Sequence, residues 1–232
     1  MTRIIKRWCW RLFFIFVYFL FLYQLWIFCH VIYWNNQNPT ASAFMQNQLD
    51  ILQAQNPKAI LHHRWAPYEQ ISFDMKRAII AAEDSKFLQH NGFDFDSIHN
   101  ASKKILQEKK LVAGGSTISQ QLAKNLFLSS EKTLWRKSQE AIITLMLENV
   151  MSKRRILEIY LNVIEWGNGI FGIEAAAQHY YGISAKSLSA NQATYLASMV
   201  TNPRYYDYNR KSEHLLKKSE IIFTRLNSAK IP

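Results

Sequence analysis

The chain has 232 residues, and its 28 lysines and arginines against 17 acidic residues leave a net charge of +11, which predicts a negatively charged partner or surface. Hydrophobic residues make up 49% of the sequence, too many for a disordered chain, and the length suits one membrane anchor followed by one domain. Both cysteines, Cys9 and Cys29, lie in or beside the most apolar stretch, which excludes a disulfide scaffold and a zinc–cysteine fold.

Residues 12–33 form an apolar run of 22 residues without a formal charge. A helix of that length spans roughly 33 Å, enough to cross a bilayer. Basic residues precede the run and no acid occurs before Asp50, so the positive-inside rule predicts a cytoplasmic N-terminus and a domain outside the membrane. A cleaved signal peptide is the alternative, but the run is longer than a signal-peptide core. The predicted segments are 1–11 (cytoplasmic), 12–33 (anchor), 34–43 (linker) and 44–232 (domain).

The remainder of the chain is typical of a mostly helical domain. No proline occurs between residues 68 and 202, and apolar residues recur there at spacings of three and four. Alternating strand patterns are weak throughout. The predicted helices are 74–90, 95–109, 117–127, 133–151, 153–165, 171–181, 189–200 and 212–227.

The first of these helices carries a carboxylate on its apolar stripe. Glu83 lies four residues after Ile79 and four before Phe87, which places it on the buried side. A carboxylate held partly out of water is suited to accept a proton from an alcohol. Asp84 points about 100° away, so the two acids are not an automatic pair, and His90 lies two turns further along. A structural Glu83, neutralised by a buried arginine or a helix N-terminus, is the alternative.

A pair of glycines precedes the predicted helix 117–127. Gly114-Gly115 permits a sharp turn, and Thr117 with a glutamine three residues later fits a capping box. Free N–H groups at such a helix start attract phosphate oxygens. The pattern therefore predicts a cradle for a diphosphate, with a capped helix and a solvated polar face as the alternative. The polar face consists of Gln121, Lys124 and Asn125.

The next predicted helix presents a second carboxylate. Its broad apolar face includes Trp135 and Leu145, and Glu140 lies nearly opposite that face. Arg136 and Lys137 lie beside Glu140 on the polar side, where cations suit a phosphate ligand. An ordinary set of solvent-facing salt bridges is the alternative.

Four ordered segments can be compared with known families: EDSKFLQHNGFD at 83–94, GGSTISQQLAKNLF at 114–127, RKSQEAIITLMLE at 136–148 and KRRILEIYLNVIEWGNGIFGIEAAAQHYYG at 153–182. Together they resemble the motifs of the family 51 glycosyltransferases. These peptidoglycan glycosyltransferases occur as the front domain of class A penicillin-binding proteins and as stand-alone enzymes. The resemblance covers roughly residues 44–203, and the chain length favours the monofunctional members.

The resemblance implies a mainly α, lysozyme-like domain behind a single N-terminal transmembrane helix, on the periplasmic face of the bacterial inner membrane. It implies inverting polymerisation of lipid II into β-1,4-linked glycan strands with release of polyprenyl diphosphate. Glu83 would be the general base, and Glu140 would assist at the diphosphate. The residues that it assigns to substrate binding are Asp84, Ser116, Gln121, Lys124, Asn125, Arg136 and Lys137.

The partners implied are lipid II, the growing lipid-linked glycan, the membrane and other cell-wall synthesis proteins, without nucleic acid. No cofactor is required, and no metal site is expected from the seven histidines. A divalent cation, Mg²⁺ or Mn²⁺, could assist at the diphosphate, although the sequence contains no dedicated cage for it.

Two other functions remain open at this point. A lysozyme-like peptidoglycan hydrolase or lytic transglycosylase would also use a carboxylate in a helical fold, but the lysine-rich face argues against it. A membrane-tethered scaffold or a nucleic-acid binder is suggested by the charge alone. The predicted position outside the membrane argues against nucleic acid.

Overall fold

The computed structural model describes residues 2–96, 99, 103, 115–129, 131 and 133–232. Its helices are α1 (Thr2–Asn36), α2 (Ala43–Gln55), α3 (Phe73–Glu83), α4 (Ile118–Phe127), α5 (Leu134–Val150), α6 (Lys153–Val163), α7 (Ile173–Tyr181), α8 (Ala190–Met199), α9 (Pro203–Tyr208) and α10 (Glu213–Arg225). The strands are β1 (His62–His63), β2 (Glu165–Gly167) and β3 (Ile170–Phe171), and single 3₁₀ turns occur at Tyr68–Gln70, Ala185–Ser187 and Leu226–Ser228. The predicted mainly α fold is confirmed. Most of the predicted helix 95–109 lies outside the described residues.

The N-terminal helix α1 is longer than the predicted anchor 12–33. Its portion Lys6–Asn36 has a mean hydropathy of 2.3 in the most apolar window and is long and apolar enough to cross a membrane. No proline or glycine interrupts the sequence before Pro39, so the helix continues past the apolar run into the predicted linker. The stretch left between α1 and α2 is only 37–42.

The end of α1 is packed against the rest of the molecule. Ile27 and Val31, four residues apart on one face, are completely buried. Gln24 Nε2 donates a hydrogen bond to Gln139 Oε1 on α5. Arg155, on α6, donates from Nε and Nη2 to the carbonyl oxygen of Trp34 at 3.0 and 2.9 Å. The guanidinium thus satisfies a carbonyl group that the helix end leaves free, and α1 is docked on the domain.

Helix α3 is shorter than the predicted helix 74–90. The hydroxyl of Ser72 caps its start by accepting from Met75 N at 3.1 Å. The helix ends at Glu83 because Asp84 leaves helical geometry, with φ −160° and ψ 75°. The placement of His90 two helical turns beyond Glu83 is therefore wrong.

Helix α4 begins as predicted. Thr117 and Gln120 form a complete capping box, in which each side chain accepts from the other residue's backbone N–H. Apolar residues on one side, including Ile118 and Leu122, are completely buried. The helix packs against both α5 and α6, so its polar side chains are surrounded by protein.

The buried side of α5 is not the predicted apolar face. Trp135 and Leu145, on the predicted apolar face, are 56% and 49% exposed. Glu140 and Thr144, on the predicted polar face, are buried together with apolar residues of the same helix. The helix packs against both α4 and the apolar helix α1, and these contacts select the side that is buried.

Strand patterns are weak in the sequence, and the described residues contain one small sheet. β1 pairs in parallel with β3, and β3 pairs antiparallel with β2. The turn after β3 needs a glycine, because Gly172 has φ +80° and a Cβ there would lie 2.8 Å from the carbonyl oxygen of Asn162. Asn162 also holds the chain after β1, with Oδ1 accepting from Ala66 N at 2.7 Å and Nδ2 donating to Ala66 O at 2.9 Å. These strands fix the start of α7.

Two helices were missed by the periodicity. α2 starts after Ser42, whose hydroxyl accepts from Met45 N at 3.1 Å, and α9 has Pro203 at its first position, where the missing N–H is harmless. Both are short or weakly amphipathic, so their packing against α4 and β2 decides their formation.

Candidate active site

Glu83, the last residue of α3, has a side chain that is nine-tenths buried. Its Oε2 accepts a hydrogen bond from Gln121 Nε2, on α4, at 2.8 Å. Its Oε1 is enclosed and has no hydrogen-bond partner within the described part of the chain. The nearest cation to this oxygen is Lys218 Nζ, on α10, at 4.0 Å. An enclosed carboxylate with one free oxygen can still accept a hydrogen bond from a bound ligand.

Gln121 is itself held by a second residue. The hydroxyl of Tyr160, on α6, donates to Gln121 Oε1 at 2.8 Å. Tyr160 is completely buried, and burial raises its pKa well above the ordinary value of 10.0, with a further contribution from the charge of Glu83. The phenol therefore keeps its proton and acts as the donor. Three helices thus contribute to one chain of hydrogen bonds.

Two partly buried lysines, Lys124 and Lys218, lie near Glu83. Burial lowers the pKa of Lys124 from its ordinary value of 10.5, and the charge of Glu140 opposes this shift. Burial also lowers the pKa of Lys218, and the charge of Glu83 opposes it. Lys218 Nζ donates to Thr201 Oγ1 at 3.2 Å. Both amines are placed to act on negative charge in a poorly hydrated cleft.

Glu140 lies in a compact ionic cluster on α5. Arg136 Nη1 is 2.6 Å from Glu140 Oε2, and Lys137 Nζ forms an ion pair with Oε1. Only 3% of Glu140 is exposed, so the cluster is not the ordinary solvent-facing set of salt bridges that the sequence left open. One buried carboxylate holds two cationic side chains next to each other.

Asp84 is occupied by the protein itself. Its Oδ1 lies 2.9 Å from His90 Nε2, and its Oδ2 accepts from the backbone N–H of Ile118 at 3.0 Å. The carboxylate therefore binds the N-terminus of α4, where the helix dipole favours negative charge. Asp84 links the end of α3 to the start of α4, and thereby sets the distance between Glu83 and Gln121.

Two cavities flank the Glu83–Gln121 hydrogen bond. A cavity of about 380 Å³ has Gln121, Lys124 and Asn125 on one wall, and residues of α2 and Arg204 on the other. A second cavity, of about 210 Å³, is lined by Glu83, Ser116 and Arg225 among others. The two cavities therefore differ in chemistry. The larger one is lined by a lysine and amide side chains, and the smaller one by the carboxylate of Glu83.

The predicted site residues fall into two groups. The two cavities are lined by Glu83, Asp84, Ser116, Gln121, Lys124 and Asn125. Arg136, Lys137 and Glu140 form the neighbouring cluster and line neither cavity. The charge of Glu140 and of its two cations nevertheless reaches Lys124.

Sequence reasoning missed two residues of this arrangement. Tyr160 lies on the buried side of α6, and nothing in its spacing shows the hydroxyl contact. Lys218 was not singled out, although its position gives a signal: it follows Leu215 by three residues and precedes Ile222 by four, on the buried stripe of an amphipathic helix.

A metal cage is not evident in the described ranges. There, no three His, Cys, Asp or Glu side chains converge as metal ligands. The oxygens of Glu140 already bind the cationic side chains of Arg136 and Lys137, and Glu83 offers one oxygen without a hydrogen-bond partner in the described part of the chain. These oxygens do not form a divalent-cation site by themselves.

The chain is similar to a known family over most of its length. A family model described as transglycosylase matches residues 51–227. A protein of Nitrosospira multiformis is 64% identical over 98% of this chain and 99% of its own, and one of Nitrosomonas europaea is 60% identical over 99% and 94%. One of Methylobacillus flagellatus is 56% identical over 98% and 100%. All three are named biosynthetic peptidoglycan transglycosylase.

Proposed function

The chain belongs to the transglycosylase family and is a peptidoglycan glycosyltransferase, and we propose that it polymerises lipid II with Glu83 as the general base. The growing glycan, linked to polyprenyl diphosphate, is the donor, and the 4-hydroxyl of the lipid II disaccharide is the acceptor. The hydroxyl oxygen attacks the anomeric carbon, the bond to the diphosphate breaks, and the configuration inverts from α to β. The proton of the hydroxyl passes to Glu83, and polyprenyl diphosphate leaves.

The observation that carries the proposal is that Glu83, which lines the smaller cavity, is hydrogen-bonded to Gln121, which lines the larger one. A reaction of two large substrates needs a base where their binding sites meet. Gln121 holds one carboxylate oxygen and so orients the group, while the other oxygen lacks a partner. An acceptor in the smaller cavity would present its hydroxyl to Glu83, and the larger cavity, with Lys124, would take the donor.

The cationic side chains suit a diphosphate leaving group. Lys124 lines the larger cavity, and Glu140 holds Arg136 and Lys137 in fixed positions nearby. Cations that are already oriented stabilise charge that develops on a leaving group without reorganising. In this proposal Glu140 acts through the two cations that it positions.

The membrane arrangement is part of the proposal. The basic residues before the apolar run favour a cytoplasmic N-terminus, which leaves the catalytic domain on the periplasmic side of the bacterial inner membrane. Trp135 and Leu145, exposed on α5 beside the anchor, suit contact with lipid. A catalytic cleft held at that surface meets substrates that diffuse in the bilayer.

The purified full-length protein should convert lipid II into a polymer that lysozyme digests. We expect Glu83→Gln to lose at least about a hundredfold in rate, because an amide keeps the shape of the side chain and cannot take the proton. Glu220→Gln, at an exposed glutamate on α10, is the matched control and should behave as the unmodified protein. Full activity of Glu83→Gln would refute the general-base role.

The same preparations distinguish the hydrolase alternative. A lysozyme-like hydrolase or lytic transglycosylase would release fragments from purified sacculi and would form no polymer from lipid II. We expect polymer and no fragments. Fragments without polymer would replace the proposed reaction with glycan cleavage.

A further inference from the structure

We infer that Tyr160 is a positioning residue for Glu83, acting through the side-chain amide of Gln121. The inference rests on the proposed role of Glu83 as the base. It concerns a residue whose ring lies in the core of the domain and whose hydroxyl reaches the catalytic cleft.

The amide of Gln121 has two different ends. A carboxylate only accepts hydrogen bonds, so Glu83 needs the amino end of the amide and is repelled by the carbonyl end. The two ends exchange when the amide group rotates by half a turn. Gln121 supports Glu83 only while something holds Oε1 on the opposite side.

The hydroxyl of Tyr160 provides that restraint. It lies 2.8 Å from Gln121 Oε1, and because the buried phenol retains its proton, it can donate to an oxygen at this position. Had the amide turned, the Tyr160 hydroxyl would face an amino group, and Glu83 would face a carbonyl oxygen. The observed orientation satisfies both contacts.

Packing alone does not account for the hydroxyl. A phenylalanine would fill nearly the same space on α6, and a buried hydroxyl destabilises a core unless it has a partner. The partner here is a cleft side chain on another helix, 39 residues away in the sequence. Both helices pack directly against each other, so the geometry is held by rigid elements.

Other charges also act on Glu83. Lys218 lies on α10, Lys124 on α4, and Asp84 follows it in the chain, while Arg225 lines the same small cavity. A change at position 160 leaves all four in place. Its effect on kcat therefore reports the hydrogen-bond chain.

The decisive variant is Tyr160→Phe in the full-length protein, assayed with lipid II. We expect kcat to fall about tenfold, as for the loss of one useful hydrogen bond, with KM changed less than about twofold. A purely structural tyrosine would lower the melting temperature without this selective fall in kcat.

Tyr206→Phe is the matched control. Tyr206 is also buried, and its hydroxyl lies 2.8 Å from His214 Nδ1, outside the cleft. We expect it to leave kcat and the pH profile unchanged. An identical effect of both variants would mean that the loss of any buried tyrosine hydroxyl is responsible, which would overturn the inference.

Gln121→Met provides the second test and completes a double-mutant cycle. It removes the amide, so it should reproduce the fall in kcat even if Tyr160→Phe fails to fold. In the double variant, Tyr160→Phe should add nothing to the effect on kcat. Unchanged kinetics of Tyr160→Phe, additive effects in the cycle, or an unchanged kcat of Gln121→Met would each refute the inference. Activity of Glu83→Gln decides separately whether the proposed base is correct.

Discussion

Replacing Asp84 by Asn should destabilise the protein by breaking the connection between α3 and α4. The carboxylate now accepts from Ile118 N at 3.0 Å and lies 2.9 Å from His90 Nε2. An asparagine carries no charge and has an amino group in place of one oxygen, so the bonds from Ile118 N and His90 Nε2 lose their charged acceptor. A buried bond to a charged acceptor contributes about 1.5 to 3 kcal/mol. The lost negative charge at the N-terminus of α4 adds roughly 0.3 to 1 kcal/mol.

The total is about 2 to 4 kcal/mol, which for a domain of this size corresponds to a fall of about 5 to 15 °C in melting temperature. Thermal unfolding of the full-length protein in detergent measures this directly. Asp50→Asn, at an exposed acid on α2 that contacts only Gln46, is the control and should stay within about 2 °C.

Kinetics then decide between two roles of Asp84. If it supports α4, kcat should fall at temperatures well below unfolding while KM stays nearly constant, because Glu83 and Gln121 lose their spacing. If Asp84 binds substrate, as the family resemblance implied, KM should rise with little change in melting temperature. The latter result would refute the structural interpretation.

Two further outcomes are expected. Burial lowers the pKa of Lys124 from 10.5, so its charge is lost as pH rises through that lowered value. We therefore expect kcat/KM to fall in alkaline solution below pH 10.5, and Lys124→Arg should move this alkaline fall to higher pH. If the variant leaves the alkaline fall where it was, the fall belongs to another group. Arg155→Ala removes the hydrogen bonds to the Trp34 carbonyl group that dock the end of α1 on the domain. This variant should therefore lose more activity in lipid vesicles than in detergent. An equal loss in both would indicate a defect within the cleft.

The sequence alone determined the features that depend on neighbours along the chain. The start of α4 follows from Thr117 and Gln120, which bond to each other's backbone within one turn. The apolar anchor follows from composition, since residues 12–33 form an uncharged apolar run long enough to cross a bilayer. Glu83 was identified from its spacing to Ile79, four residues earlier on the buried face of α3, although the helix ends before Phe87.

Tertiary structure decided what each of these residues contacts. Helix α5 shows the limit most clearly: periodicity reveals that it has two faces, but only its packing against α4 and α1 determines that Glu140 is buried while Trp135 and Leu145 are exposed. A hydrophobic stripe has the same pattern whether the other side meets water, lipid or protein. The end of α3 at Glu83 was likewise decided by a distant group, the N-terminus of α4 that binds Asp84.

The hydrogen-bond chain around Glu83 could not be predicted, because its members are far apart in sequence. Gln121 is 38 residues from Glu83, and Tyr160 is a further 39 residues from Gln121. A side chain's type limits which bonds it can form, but helix packing selects the partner and the direction of the bond. The sequence therefore determined which residues are capable of the chemistry, and the packing of α3, α4, α6 and α10 determined which of them act together, because hydrogen bonds and charge interactions depend on separations of a few ångströms.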